Sequence, residues 1–126
     1  MKEIINTNSA PAPIGPYNQA IKAGGTLYIS GQIALSPSTN ELISGSIADE
    51  AKQVLENLNA ILREAGYSFT DVVKTTIFLT DMANFSTVNE VYATYFTEHA
   101  PARETVAVRG LPKNVNVEIS LIAWKG

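Results

Sequence analysis

Val115-Asn116-Val117-Glu118-Ile119-Ser120-Leu121-Ile122-Ala123-Trp124 is the most regular stretch of the chain. Val115, Val117, Ile119, Leu121 and Ala123 point one way, and Asn116, Glu118, Ser120, Ile122 and Trp124 the other. Strict alternation of this kind predicts a β-strand over 115–124 with one wholly apolar face for a core. The second face mixes Glu118 with Ile122 and Trp124. A face of that composition calls for cover, and another copy of the chain is the expected cover.

Working back towards the N-terminus, Pro112-Lys113-Asn114 predicts a turn and 104–109 a strand. A helix is expected over 84–97, with Phe85, Val88, Tyr92, Tyr95 and Phe96 as its apolar stripe, and a strand over 71–80. Residues 47–65 carry Ala51, Val54, Leu55, Leu58, Ile61, Leu62 and Ala65 at helical spacing. Ser46 stands at the N-cap, with Asp49 three residues on, and Gly66 suits the left-handed position after the C-terminus. Residues 36–46 read as loop. Gly24-Gly25 joins two strands, 17–23 and 26–33, as a hairpin. In the second of these, alternation puts Leu27, Ile29 and Gly31 on one face and Tyr28, Ser30 and Gln32 on the other. Residues 8–16 hold three prolines and a glycine, which form a stiff loop able either to wall a pocket or simply to connect. The order is β-β-α-β-α-β-β: an α+β fold in which two helices cover one face of a mixed sheet, in a single domain over 1–126.

Composition narrows the function. The chain has 126 residues, 45% hydrophobic and only 17% charged, a low charge content that favours some surface buried between subunits. It has no cysteine and one histidine, His99, placed by the sequence near a helix end where a cation suits the dipole. Thiol chemistry is excluded, and neither a zinc site nor a nucleotide cofactor is expected, since no dinucleotide-binding, Walker, HExxH or nucleophile-elbow motif occurs. The net charge of -3 and the lack of any Lys/Arg run argue against nucleic-acid binding. No apolar stretch is long enough to span a membrane, and the N-terminus lacks the order of a signal peptide, so a cytoplasmic location is expected.

Two polar residues stand out. Glu118 lies inside an alternating strand, where a carboxylate needs a partner, and Arg103 opens the preceding strand. Strands joined by a short turn bring the two to one pocket. They then form either a structural ion pair or a site for a small carboxylic acid, with the arginine fork on the carboxylate and the glutamate on a water or proton.

Several blocks extend over nearly the whole chain: Ala12-Pro13-Ile14-Gly15-Pro16-Tyr17, Ser30-Gly31-Gln32-Ile33, Asp71-Val72-Val73-Lys74-Thr75-Thr76, Phe85-Ser86-Thr87-Val88-Asn89, Pro101-Ala102-Arg103, Leu111-Pro112-Lys113 and Val117-Glu118-Ile119. In order and spacing they closely resemble the RidA (YjgF) family of reactive intermediate deaminases. The resemblance implies a chorismate-mutase-like homotrimer with a barrel-like sheet core and three clefts between subunits. It implies cofactor-free hydrolysis of 2-aminoacrylate, 2-iminopropanoate and 2-iminobutanoate, released by pyridoxal-phosphate-dependent dehydratases, to 2-keto acids and ammonia. It places the substrate carboxylate on Arg103 and the attacking water on Glu118, and makes Tyr17, Ser30, Gly31 and Asn89 cleft residues. The chain departs from the family pattern at Glu104-Thr105, where many members have Ser-Cys, at Ser120, where many have an acid, and at Arg109-Gly110, where many have Ala-Arg. These departures point to altered substrate preference. The competing readings are a regulatory protein that senses 2-keto acids, an RNA-cleaving translation inhibitor and a purely structural trimer.

Overall fold

The computed structural model describes residues 1–126. Its elements are β1 (Lys2–Ile5), β2 (Ala20–Ala23), β3 (Thr26–Gln32), α1 (Ile47–Glu64), β4 (Val72–Leu79), α2 (Phe85–Ala93), β5 (Ala102–Ala107) and β6 (Val117–Trp124). One six-stranded sheet has the order β1-β2-β3-β6-β4-β5. All neighbours are antiparallel except β4 and β5, which run parallel because α2 crosses between them. The strand that decides the fold is thus central, between β3 and β4. Val117, Ile119, Leu121 and Ala123 are buried. They join Leu27, Ile29, Ile77 and Leu79 from the sheet and Val54, Leu55, Leu58, Ile61 and Leu62 from α1 in one core. Each such side chain contributes roughly 1.5–3 kcal/mol on burial. The mixed sheet with both helices on one face agrees with the sequence reading.

The chorismate-mutase-like, barrel-like arrangement is overturned. The sheet is open: β1 hydrogen-bonds only to β2 and β5 only to β4, so both edges are unpaired. Closure needs a ladder between first and last strands, and the α2 crossover carries β5 to the outer edge instead. There is also a strand that sequence patterning missed. β1 buries only Ile5, so its four residues carry no periodic signal and exist by pairing with β2.

α1 matches its expected span to within one residue. Ser46 accepts the Asp49 N–H at 3.1 Å, and Gly66 adopts φ +82°, as a left-handed helix stop requires. α2 is shorter than expected. Tyr95 and Phe96 leave the helix to pack with Phe69, at 5.4 and 5.1 Å between ring centroids, and His99 sits in the loop beyond rather than in the last turn. β2 starts at Ala20, so Tyr17 belongs to the preceding loop. β5 starts at Ala102, two residues earlier than expected, and Arg103 lies inside it. No helix is long and apolar enough to cross a membrane.

Candidate functional site

β3 and β6 do not pair evenly. Ile29 faces Leu121 and Gln32 faces Ile119, so one extra β3 residue bulges at Ser30-Gly31. The bulge turns Gly31 off the core face, to which simple alternation had assigned it with Leu27 and Ile29, and turns Gln32 inward, where it is 6% exposed. Gly31 now backs onto Glu118. A Cβ built on Gly31 would lie 2.6 Å from the Glu118 Oε2 and 2.7 Å from its Cδ. The carboxylate therefore occupies space that only glycine leaves open. Burial raises the Glu118 pKa above the usual carboxylate value. No side chain or backbone N–H of the chain donates to it.

The Pro-rich loop stands beside Gly31. Pro11, Ala12, Pro13, Ile14 and Tyr17 line a small depression together with Gly31, so the loop does wall a pocket. Its shape is held by Gln19, 2% exposed, which bonds the Thr7 N–H at 2.6 Å and the carbonyls of Thr7, Ala10 and Pro11 at 3.0, 3.2 and 2.8 Å. The Ser30 hydroxyl donates to the Asn18 carbonyl at 2.7 Å, and the Ser30 N–H to Gln19 O at 2.9 Å. Ser30 thus fastens the Tyr17 segment to β3. Gln19 carried no motif signal, because a buried glutamine looks like any other polar residue in sequence.

Arg103 lies elsewhere. It pairs in register with Thr75 of β4, whereas Glu118 pairs with Phe78. Thr75 is fully buried on the helix-covered face, while Glu118 alternates with the buried Val117 and Ile119 and so lies on the helix-free face. β4 stands between the two strands, and strand geometry separates the residues by on the order of 14 Å. The short turn before β6 does not bring them to one pocket within the chain, nor do they form an ion pair. The only salt bridge is Lys74–Glu104 at 3.3 Å. The Arg103 Nη1 donates to the Asn89 Oδ1 at 2.7 Å, and its guanidinium carbon sits 4.9 Å from the Tyr92 ring centroid and 5.7 Å from that of Phe85. Of the sequence-predicted site residues, Tyr17, Ser30, Gly31 and Glu118 form one group, and Arg103 with Asn89 forms another. No three His, Asp or Glu side chains are grouped to hold a metal ion.

The family model for endoribonuclease L-PSP matches residues 7–125, almost the full chain. This chain belongs to that family, the one that includes the RidA and YjgF proteins. The likeness extends end to end. It is 57% identical over 125 residues to a RutC family protein of Pyrococcus horikoshii, covering 99% of each chain. It is 50% identical to the 2-iminobutanoate/2-iminopropanoate deaminase of Mus musculus, covering 100% of this chain and 93% of the other. The crystal structure of E. coli TdcF with bound serine superposes with a TM-score of 0.93 at 44% identity, covering 98% of this chain and 99% of that one. In this RidA-family chain the departures have visible surroundings. Glu104 pairs with Lys74 and accepts a bond from Thr76 at 3.3 Å. The Thr105 hydroxyl is buried without a partner. Arg109 and Gly110 are exposed in the loop after β5.

Proposed function

We propose that the protein hydrolyses small 2-imino acids, and the enamines that tautomerise to them, to 2-keto acids and ammonia. The observation that carries the reading is the end-to-end likeness to the mouse imine deaminase, 50% identical over 126 residues. Serine bound in the E. coli relative is a small carboxylic acid of the same size class.

The reaction adds water to a C=N bond: R–C(=NH)–COO⁻ + H₂O gives R–C(=O)–COO⁻ + NH₃. Arg103 takes the substrate carboxylate through its fork, aimed by Asn89. Glu118 accepts a proton as water attacks the imine carbon and passes it to the nitrogen, giving a carbinolamine; it then moves the hydroxyl proton to the –NH2 group, so that the C–N bond breaks, the C=O forms and ammonia leaves. The raised pKa of Glu118 suits a group that must both take and give a proton. Tyr17, the Pro-rich loop and the space over Gly31 close the pocket around a short side chain. The chemistry uses neither metal nor organic cofactor, and the location is read as cytoplasmic.

Since the two residue groups are apart in a single chain, the complete site joins Arg103 and Asn89 of one copy to Glu118, Gly31, Ser30 and Tyr17 of the next. This makes the working unit an oligomer, read as a homotrimer with three clefts. Tyr28 at 50% and Trp124 at 55% exposure on the helix-free face supply apolar surface for the contact.

The test generates 2-aminoacrylate in situ with a serine dehydratase and follows keto acid release. Glu118→Gln is expected to fold and assemble as wild type while single-turnover hydrolysis falls by roughly 10²–10⁴-fold. Hydrolysis by this variant at the wild-type rate removes Glu118 from the mechanism.

A further inference from the structure

Arg103 is an edge-strand residue with a long flexible stem, yet its guanidinium is held from several sides by one element. Phe85, Asn89 and Tyr92 occur at i, i+4 and i+7, which places all three on the same face of α2. The Asn89 Oδ1 takes the Nη1 proton at 2.7 Å. The Tyr92 ring lies under the guanidinium at 4.9 Å, with Phe85 at 5.7 Å. Tyr92 is itself fixed: it is 5% exposed, and its hydroxyl shares a 2.7 Å hydrogen bond with the Thr75 hydroxyl. Thr75 is fully buried and is the residue that faces Arg103 across the β4–β5 ladder. Strand, helix and strand thus form a closed chain of contacts: Arg103 to Tyr92, Tyr92 to Thr75, Thr75 back to Arg103.

A packing role alone would not need the hydroxyl pair. Phe and Val would fill the same volume without burying two polar atoms, whose only return is the bond between them. That bond fixes the position of the ring face, and the ring face is what the guanidinium rests on. The Tyr92 hydroxyl is pushed above the usual phenol range chiefly by burial, against the pull of Thr75 and of nearby Arg103, so the pair stays a neutral hydrogen bond throughout the working pH range.

We propose that Tyr92, tethered by Thr75, is a positioning residue that sets the pose of Arg103 and thereby the affinity and selectivity of the protein for a carboxylate. The inference rests on the carboxylate-binding reading of Arg103. The remaining two nitrogens' edge of the fork is left free for ligand only when the ring and Asn89 hold the other side.

The experiment measures pyruvate and pyruvamide binding by calorimetry, together with imine turnover. It uses wild type, Tyr92→Phe, Tyr92→Leu, Thr75→Val, Thr75→Ser and Arg103→Ala. Loss of the ring in Tyr92→Leu is expected to weaken pyruvate binding by about 3- to 30-fold, the range of a cation–π contact, with little change for pyruvamide. KM should rise more than kcat falls. Tyr92→Phe and Thr75→Val keep the shape and lose the tether, so they should show a smaller change of the same kind, while Thr75→Ser restores wild-type selectivity. If Tyr92→Leu does not fold, the shape-conserving pair decides. Wild-type preference for pyruvate over pyruvamide in Tyr92→Phe, Thr75→Val and any folded Tyr92→Leu, alongside its loss in Arg103→Ala, overturns the positioning role and leaves the proposed function standing. Unchanged preference in Arg103→Ala overturns the carboxylate reading itself, and the positioning role with it.

Discussion

Gly31 and Glu118 show how much one missing methyl group can decide. The Glu118 side chain lies where a Gly31 Cβ would be, 2.6 Å from Oε2. The obstacle is a flexible side chain rather than backbone, so Gly31→Ala should fold and displace the carboxylate. Imine turnover is expected to fall at least 10-fold, the loss that a displaced catalytic group readily produces, with melting close to wild type; calorimetric melting and a turnover assay on one preparation check this. The raised Glu118 pKa has a definite sign. A carboxyl whose folded pKa lies above its unfolded value gives its stability contribution in full below the unfolded pKa, and loses it as pH rises through the folded value. The same ionisation makes the base. kcat/KM should therefore climb with pH through a pKa above the ordinary glutamate range while stability falls slightly, and Glu118→Gln should lose both limbs. At Thr105 the buried hydroxyl has no partner. Thr105→Val is expected to stabilise the protein by about 1 kcal/mol in urea unfolding, the cost of such a group being about 1–3 kcal/mol.

At the scale of elements, the site depends on how α1 ties down the start of β6. Glu50, 4% exposed, accepts the Asn116 N–H at 2.8 Å, the Asn116 Nδ2 at 2.9 Å and the Val117 N–H at 3.1 Å. These bonds fix the strand immediately before Glu118. Glu50→Ala leaves buried N–H groups unpaired and should cost about 3 kcal/mol or more, read as a lower denaturant midpoint. Glu50→Gln keeps one acceptor oxygen and should cost less. A measurable loss in Glu50→Gln, which keeps the volume, separates lost hydrogen bonds from lost volume. The bulge at Ser30-Gly31 does similar work from the other side of β6: one extra residue re-aims Gly31 at the carboxylate and sends Gln32 into the interior.

At the scale of the molecule, the two residue groups lie on opposite faces of an open sheet, and the proposed site is completed by a neighbouring copy. Light scattering at micromolar concentration should give about three times the chain mass of 13.5 kDa; a monomer mass counts against the shared site. A sharper check mixes two inactive variants. Glu118→Gln and Arg103→Ala proteins, refolded together in equal amounts, should regain about a quarter of wild-type turnover, since each partner position in a cleft is filled correctly half the time. No recovery on mixing means that the two residues do not work across a boundary. Trp124→Glu, on the exposed helix-free face, should lower the assembled mass.

Periodicity alone made α1, β4, β6 and the pairing of helices with one sheet face legible, because each long element buries a stripe whose spacing is written in the chain. The motif blocks identified the family, and Arg103 and Glu118 were visible as polar residues in places where polar residues need a reason. Other features depended on contacts between distant segments. β1 exists by pairing rather than by pattern, and the β3 bulge breaks the alternation that placed Gly31. The Thr75–Tyr92 bond joins residues that read as strand and core. Strand order, above all, is a long-range choice: β4 inserts between β5 and β6, so strands that a short turn was expected to join stand two positions apart, with Arg103 and Glu118 on opposite faces. Local pattern determines which side of an element is apolar; only the tertiary pairing of elements decides which polar side chains meet.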